Sequence, residues 1–188
     1  MKSNIEEIVK QYKEIFPIEK EKLQKLNIFL EENKNNYNNL FNRKNFDGHI
    51  TASGYIFSVE EKKILLLEHK QLKVYVQPGG HVELDDDTIL DSAKREIFEE
   101  TGLNDIKLVN PSNNIYVPFN INTHYIPENN KKNEKEHYHH DFSYLFTINS
   151  IKDIKIDFNE SNSFKWCSIK KFENRNEVRK KLINFLQI

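Results

Sequence analysis

The sequence has 188 residues, with 28 basic and 29 acidic side chains, and its formal net charge is −1. This balance argues against a binder of nucleic acid polymers or anionic membranes, and the length suits one domain with an addition. Cys167 is the only cysteine, which excludes an intrachain disulfide and fits a reducing compartment. The start, MKSNIEEIVKQY, lacks the apolar core of a signal peptide, and the longest aliphatic run, Ile64 to Leu67, is too short to span a bilayer. We therefore expect a cytoplasmic protein.

Residues 1–45 predict a helical extension at the N-terminus. Apolar residues recur there at helical spacing in two stripes. The first stripe comprises Ile5, Ile8, Val9, Tyr12, Ile15 and Phe16, and the second comprises Leu23, Leu26, Phe29 and Leu30. Pro17 separates the stripes and suits the first turn of a new helix, and the Asn-rich stretch 33–39 predicts a loop. Two such helices cannot bury their apolar faces alone, so we expect them to pack on the remainder of the chain or on the second subunit of a homodimer.

Residues 46–188 predict a single α/β domain. Runs rich in β-branched and aromatic residues, bounded by turn signals, predict its strands, and apolar residues at helical spacing predict its helices. The predicted strands are 49–59, 62–70, 73–77, 114–121 and 140–148, with a further short apolar run at 164–169, and the predicted helices are 88–101 and about 175–186. The polar stretch 129–136 predicts a loop between two of the strands.

The stretch GGHVELDDDTILDSAKREIFEETG, residues 79–102, carries eight acidic residues and two basic ones. Thr88 and Asp91 have the spacing of a capping box with Asp in place of Glu, which predicts that a helix begins there. Gly102 suits the left-handed conformation that often ends a helix. The predicted core face of the helix comprises Leu90, Ala93 and Ile97.

Three carboxylates of this helix, Glu96, Glu99 and Glu100, fall within roughly 100° of arc on the neighbouring face. Like charges at this spacing repel, and the C-terminal end of the helix dipole disfavours anions. Folding alone gives no reason for the arrangement, whereas Mg²⁺ or Mn²⁺ is commonly held by a few carboxylates. The alternative is a solvated acidic surface, which is typical of charged runs in general.

The same stretch resembles the Nudix box, G-x5-E-x7-R-E-U-x-E-E-x-G-U with U aliphatic, from Gly80 to Leu103. The second half of the pattern matches at every position. The matching residues are Arg95, Glu96, Ile97, Glu99, Glu100, Gly102 and Leu103. In the first half, a one-residue insertion places Gly80 one residue further from Asp87 than the pattern asks, and Asp87 replaces the family's Glu.

The resemblance implies a Nudix-type α/β/α sandwich with a mixed sheet, to which residues 1–45 add a two-helix extension. It implies metal-dependent hydrolysis of a phosphoanhydride bond in a nucleoside diphosphate linked to another moiety. In that reaction water attacks phosphorus. The substrate class stays open between a nucleoside triphosphate, a nucleotide sugar, ADP-ribose and a dinucleotide polyphosphate.

The resemblance also implies roles for individual residues. The implied ligands of Mg²⁺ or Mn²⁺ are Glu96, Glu99, Glu100 and the backbone carbonyl of Gly80. One of the three glutamates is expected to double as a proton acceptor. Arg95, beside these catalytic carboxylates, is expected to pair with Asp87 or Glu99 and thereby to fix the helix.

A further base often comes from a loop outside the box in this family. The candidates are Glu128, Glu136, Asp141 and Glu160. We favour the stretch 124–141, because a long polar loop between strands is where binding residues tend to lie.

The histidines of this stretch have two interpretations. In a strand, His137, His139 and Asp141 would share one face, where they could contact a phosphate, a base or a transition metal. The alternative is a polar strand edge or a packing role, and the box together with the single cysteine disfavours a zinc site. His81 follows Gly80 and could reach a phosphate or cap the turn. The predicted substrate-binding residues are therefore His81, Glu128, His137, His139 and Asp141.

Two other functions share the expected fold. A Nudix-like module can sense nucleotides without hydrolysing them, with the N-terminal helices as its output arm, although such a module would not need all three carboxylates. A metal-dependent isomerase acting on a diphosphate ester is the weaker alternative. In each case the expected partner is a small nucleotide-type molecule, with no nucleic acid polymer and no membrane.

Overall fold

The structure, a computed structural model, describes residues 4–70, 73–130, 133–151, 154–172 and 176–188. Its helices are α1 (Ile5–Ile15), α2 (Gln24–Glu32), α3 (Ile89–Thr101) and α4 (Asn176–Leu186). Its strands are β1 (His49–Ser58), β2 (Lys63–His69), β3 (Tyr75–Val76), β4 (Gly79–His81), β5 (Lys107–Val109), β6 (Asn120–Ile126), β7 (His137–Ile148) and β8 (Ser161–Ser168). None of the helices in these ranges is long and apolar enough to cross a bilayer.

Most predicted elements are present, and the main error concerns the apolar run 114–121. Only the end of this run lies in a strand, because β6 begins at Asn120. Val117 and Phe119 are nevertheless fully buried, since an irregular segment can also place side chains in the core. The Asn-rich stretch contains a 3₁₀ turn at Tyr37–Phe41 in addition to the expected loop. The predicted start of the C-terminal helix near residue 175 lies outside the described residues.

One mixed sheet contains the eight described strands. Its main path runs β3–β2–β1–β7–β5, with β4 paired to β1, β6 to β7 and β8 to β2. β1 and β7 are parallel and stay in register from His49 opposite His139 to Ser58 opposite Ile148. The other pairings are antiparallel. Parallel strands need a long crossover connection, and the chain between β1 and β7 includes α3.

The two faces of the sheet carry separate hydrophobic clusters, as the alternation of side chains along a strand requires. On one face, Ile50 and Ala52 of β1 pack in the same cluster as Ile97 of α3. On the other face, Tyr55 of β1 packs in the same cluster as Leu182 of α4. The predicted α/β/α sandwich with a mixed sheet is therefore confirmed.

The N-terminal helices belong to the first of these clusters. Tyr12 of α1 and Leu26 of α2 are fully buried in the cluster that contains Ile50. Phe29 of α2 stacks on His140 of β7, with their ring centroids 4.6 Å apart. The apolar stripes of both helices are thus covered by the remainder of this chain.

A polar network joins the extension to β6 and α4. The hydroxyl of Tyr12 accepts hydrogen bonds from the N–H of Ile121 at 3.1 Å and from the ammonium of Lys181 at 3.0 Å, and it donates to Glu19. Glu19 also pairs with Lys181 at 2.9 Å and with Lys22 at 2.6 Å. Burial lowers the pKa of Lys181 to about 8, although the charge of Glu19 opposes this change. The network supplies a partner for a backbone donor on the outer side of β6.

We expect Tyr12→Phe to lower the free energy of unfolding by about 1–3 kcal/mol, because it leaves the Ile121 N–H and two buried charged groups short of a partner. Chemical denaturation at neutral pH measures the change. Tyr125→Phe is the matched control, since the Tyr125 hydroxyl contacts Glu136 at an exposed position and its loss should change stability by no more than about 0.5 kcal/mol. Equal effects of the two variants would contradict a structural role for the network.

Candidate active site

The carboxylate-rich helix α3 is fixed at both ends by its own sequence. At its start, the Thr88 hydroxyl accepts the N–H of Asp91 at 3.1 Å and donates to the Asp91 carboxylate at 2.7 Å. At its end, Gly102 has a φ of 72° and its N–H donates to the carbonyl of Phe98 at 2.8 Å. The predicted capping residues therefore act at both ends, and glycine adopts the left-handed conformation without strain.

Strand β4 lies against the last turns of α3. The N–H of Gly79 donates to a carboxylate oxygen of Glu100 at 2.7 Å. A Cβ added to Gly80 would lie 2.6 Å from a carboxylate oxygen of Glu96, so a side chain at this position would have to displace that carboxylate. Glycine at position 80 therefore lets the backbone approach this carboxylate.

The burial of two carboxylates dominates the electrostatics of the site. Glu96 and Glu100 are each 8% exposed. Burial raises the pKa of Glu96 to about 7 although Arg95 opposes the change, and burial raises the pKa of Glu100 to about 8. Glu99, the third carboxylate, has a more exposed side chain and pairs with Arg95 at 2.9 Å. At neutral pH the two buried groups lie close to the midpoint of their titration, where a bound cation would favour their charged forms.

A second acidic segment docks on the end of α3. The N–H groups of Lys155 and Asp157 donate to the carbonyls of the last two helical residues, at 3.0 and 3.4 Å. The charge of Glu160 raises the pKa of both Glu96 and Glu100, and the charge of Asp157 also raises that of Glu100. This segment therefore adds negative charge beside the two buried carboxylates.

Arg95 links the helix to the preceding turn. Its guanidinium donates to Glu96 and to Glu99 at 2.9 Å each, so the predicted pair with Glu99 is present. It also donates to the backbone carbonyl of His81 at 2.8 Å. Arg95 thus restrains two of the three carboxylates and the strand that carries Gly80.

Arg95 is expected from the sequence to pair with Asp87 or Glu99. Beside Glu99, its partner in the turn is Asp86, not Asp87. Two nitrogens of Arg95 contact the two carboxylate oxygens of Asp86, at 3.0 Å each. Burial alone would raise the pKa of Asp86, but hydrogen bonds from Arg95 and from the N–H of Glu83 lower it below its usual value. Asp86 also has the spacing from Gly80 that the pattern G-x5-E asks, so the extra residue is Asp87, which is exposed.

The sheet face opposite α3 is polar near the starts of β1 and β7. Asp141 lies there, 6% exposed, and accepts hydrogen bonds from the hydroxyls of Thr51 at 3.1 Å, Ser53 at 2.6 Å and Ser143 at 2.7 Å. The amide of Gln77 donates to the same carboxylate at 3.4 Å. Because donors surround this carboxylate, its first evident role is to hold strands β1 and β7 together.

Five histidines gather at the same end of the sheet. The pairing of β7 with β1 places His49 opposite His139, and its pairing with β6 places His124 opposite His139. The rings of His81 and His137 also contact this group. Burial lowers the pKa of His49 to about 4. The structure therefore brings the predicted residues His81, His137 and His139 together.

The predicted loop 124–141 is shorter than expected. Strands β6 and β7 extend into it, which leaves 127–136 as the connection. Glu128 is exposed on this connection, and Glu136 accepts a hydrogen bond from a tyrosine of β6. Among the candidate bases, Glu160 is the residue whose charge acts on the carboxylates of α3, although it lies outside the favoured stretch.

An open cleft of about 460 Å³ separates the N-terminal extension from the turn after β4. Its walls comprise Asn36, Asn38, Asn39, Phe41, Asn42, Arg43 and residues 81–84. An adjoining cleft of about 680 Å³ is lined by residues 83–86, Arg95 and Glu99. Glu83 and Leu84 line both clefts, so the two clefts adjoin between the Asn-rich segment and α3.

The helix, its glycine turn and the surrounding sandwich agree with a comparison to known families, in which the NUDIX domain matches residues 48–187. The chain belongs to the Nudix family. The Nudix chain is 38% identical over 144 residues to the "Probable DHNTP pyrophosphohydrolase" of Lactococcus lactis subsp. cremoris (strain MG1363), a match that covers 76% of this chain and 79% of the relative. It is therefore a Nudix pyrophosphohydrolase.

Solved Nudix structures share the fold. A NUDIX-family hydrolase from Clostridium perfringens is 24% identical, with a TM-score of 0.56 over 78% of this chain and 97% of that one. The E. coli dihydroneopterin triphosphate pyrophosphohydrolase is 15% identical, with a TM-score of 0.52 over 72% of this chain and 95% of that one. At these identities the similarity establishes the fold of the Nudix chain and nothing finer.

Sequence reasoning on this Nudix chain missed the partner of Arg95 and the contribution of His49. Counting forward from Gly80 selects Asp86, whereas counting back from Arg95 selects Asp87, and the sequence alone does not decide between them. His49 begins the first strand, but its neighbours His137 and His139 lie on a strand far along the chain. Only the pairing of β1 with β7 shows that these three histidines are neighbours, and the sequence does not give this pairing.

We expect Asp86→Asn to lower the free energy of unfolding by about 1–3 kcal/mol, because Arg95 loses a partly buried anionic partner. Asp87→Asn, one residue along the same turn, is the control and should stay within about 0.5 kcal/mol of the unmodified protein. Thermal and urea unfolding of both variants measure the difference. The reverse order of effects would show that Asp87 is the partner of Arg95 in solution.

The metal-free protein should lose stability as the pH rises from 6.5 to 8. The folded pKa values of Glu96 and Glu100 are about 7 and 8, above the ordinary value of 4.5, so the folded state holds protons that the unfolded chain has already released. The expected loss is on the order of 1–2 kcal/mol. His49 and His140, with folded pKa values lowered to about 4 from the ordinary 6.5, offset part of this loss, because only the unfolded chain still releases their protons near pH 6.5.

Unfolding of chelator-treated protein at several pH values measures this slope. The double variant Glu96→Gln/Glu100→Gln removes both titrating groups, so its stability should change less over the same window. A slope that is identical in the two proteins would mean that other groups set the pH dependence.

Proposed function

We propose that this Nudix enzyme hydrolyses a phosphoanhydride bond of a nucleoside triphosphate-like substrate and depends on Mg²⁺ or Mn²⁺ bound at α3. The observation that carries the proposal is the burial of Glu96 and Glu100 against a turn at Gly80, where a Cβ would displace the Glu96 carboxylate. Burial raises the pKa of both carboxylates to about 7 and 8, and a cation would remove this penalty by stabilising their charged forms.

The residues present fit such a cation. The proposed ligands are Glu96, Glu99, Glu100 and the carbonyl of Gly80, a set made only of oxygen atoms, which Mg²⁺ and Mn²⁺ prefer. When bound, the cation neutralises phosphate charge and lowers the pKa of the attacking water. Arg95 holds Glu96 and Glu99 in place through its bond to the turn.

We assign the acceptance of the water proton to Glu160. Its charge acts on both Glu96 and Glu100, and it lies on the segment that docks on the end of α3. A carboxylate at such a place can take the proton that water releases as it attacks phosphorus. The exposed Glu128 and the hydrogen-bonded Asp141 are then left to substrate contacts or to structure.

The favoured substrate class is a pterin or purine nucleoside triphosphate, with dihydroneopterin triphosphate first. One support is the 38% identity to the Lactococcus lactis protein. A second is the wall of asparagine side chains in the cleft between the extension and the β4 turn, because each amide offers both donors and an acceptor to the edge of a heterocyclic base. Arg43 adds positive charge to the same wall. Here the N-terminal extension shapes specificity and takes no part in the chemistry.

A substrate panel with Mg²⁺ tests the proposed activity. The panel contains dihydroneopterin triphosphate, GTP, ADP-ribose, a nucleotide sugar and diadenosine tetraphosphate, and the products are separated and quantified. We expect pyrophosphate release from dihydroneopterin triphosphate with kcat/KM at least about tenfold above the other compounds, the discrimination that a few buried hydrogen bonds supply. Turnover of ADP-ribose or the nucleotide sugar alone would contradict the substrate class, and no turnover of any compound would contradict the metal-dependent reaction.

Glu100→Gln should keep the fold and reduce kcat by roughly a hundredfold or more, because it removes a charge that acts on the developing transition state. The amide oxygen can still accept the N–H of Gly79, so the turn should survive. The matched control is Glu60→Gln in the exposed turn between β1 and β2, which should leave kcat unchanged. A folded Glu100→Gln protein with near-normal kcat would remove Glu100 from the proposed ligand set.

A further inference from the structure

Three histidines at the starts of two neighbouring strands converge outside the carboxylate site. His49 is the first residue of β1, and His137 is the first residue of β7. His139 lies opposite His49 in the parallel pairing, and it shares a face with His137 because two positions separate them. One ring nitrogen from each histidine lies within 4.8 Å of the other two. From these positions, small rotations of the rings can place each nitrogen at roughly 2.0–2.1 Å from a zinc ion at the centre of the group.

Backbone carbonyls lie beside the Nδ1 atoms of two of these rings. Nδ1 of His137 lies 2.7 Å from the carbonyl oxygen of Lys135, and Nδ1 of His49 lies 3.5 Å from that of Asn45. A carbonyl can only accept, so Nδ1 of His137 carries the hydrogen and its Nε2 presents a lone pair, and the longer contact of His49 favours the same tautomer. Histidines that bind metals in proteins commonly donate their other N–H to a carbonyl in this way.

Hydrogen bonding within the cluster gives partners to the Nε2 atoms of only two of the three rings. The Nε2 atoms of His137 and His139 are 3.1 Å apart, which fits a hydrogen bond from one to the other. His49 is 1% exposed, and its Nε2 has no hydrogen-bond partner in the described part of the chain. Its ring centroid lies 4.9 Å from that of His137 and 4.6 Å from that of His139. A cation between the three rings would give the Nε2 of His49 a partner and would replace the hydrogen bond between His137 and His139.

We propose that His49, His137 and His139 bind a transition-metal ion, with Zn²⁺ the best fit, at a site separate from the carboxylates of α3. Three imidazoles without a carboxylate select Zn²⁺ and the neighbouring transition metals over Mg²⁺. The His81 ring lies 5.1 Å from His49 and 5.4 Å from His139, so His81 or a water completes the coordination. The sequence alone disfavours zinc because of the box and the single cysteine, and it does not reveal the contribution of His49.

The proposed ion would connect three strands. His49 lies on β1, His137 and His139 lie on β7, and His81 ends β4, one residue after Gly80. An ion there fixes the starts of the two parallel strands and the turn that carries Gly80. This role does not require the cation at α3, so either proposal can fail without the other.

Zinc titration of the full-length chain tests the site. The protein is stripped with a chelator, and the Glu96→Gln/Glu100→Gln variant serves as the background that removes carboxylate binding. Equilibrium dialysis with Zn²⁺ alone, followed by elemental analysis, should give one ion per chain. His139→Gln in the same background should weaken this binding by roughly a hundredfold or more, because losing a ligand exceeds the effect of losing its outer-shell partner.

His69→Gln, on β2 and outside the cluster, is the matched control and should bind Zn²⁺ normally. If His139→Gln does not fold, His137→Gln supplies the same test. Long-range ¹H–¹⁵N NMR of the imidazoles adds a direct readout, since coordination should move the Nε2 signals of His49, His137 and His139 together. Undiminished binding in a folded ligand variant, or unchanged ring signals at saturating Zn²⁺, would overturn the proposal.

Discussion

The parallel pairing of β1 with β7 is the constraint on which the remainder of the structure depends. Because successive side chains alternate between faces, this one register decides what each face of the sheet can do. One face receives Ile50 and Ala52 and becomes the seat of α3. The other receives His49 opposite His139 and Thr51 opposite Asp141. A shift of the strand register by one residue would exchange the two sets of side chains. It would remove both the apolar surface that contacts α3 and the polar surface on the opposite face.

The arrangement at α3 works against stability in the absence of a cation. Two carboxylates are buried side by side, and the docked segment with Glu160 adds further negative charge. Arg95 compensates only part of this charge, since it is shared between the turn and two carboxylates. The electrostatic repulsion that remains is offset by the capping of the helix and by the apolar cluster beneath it. Such local conflicts between folding and electrostatics are typical of functional sites.

The sequence predicts the local features of this structure well and the distant ones poorly. Thr88 and Gly102 carry their capping signals within a few residues of the helix they bound, so the limits of α3 follow from the sequence. The apolar run that contains Phe119 wrongly predicts a strand, because most of this run is buried in an irregular segment before β6. The choice of Asp86 over Asp87 depends on the path of a turn, since the two side chains are chemically identical. The neighbours of His49 depend on a pairing between strands that are far apart along the chain.

The docked segment after β7 has a consequence for the dynamics of the site. The final turn of a helix ordinarily frays, because its last carbonyls lack partners. Here the N–H groups of Lys155 and Asp157 supply those partners, and Gly102 closes the turn from within. The last turn, which carries Glu99 and Glu100, is therefore held by hydrogen bonds from the docked segment as well as from the helix itself. The carboxylates are therefore held on a formed helix, so binding of the proposed cation would not require this turn to fold.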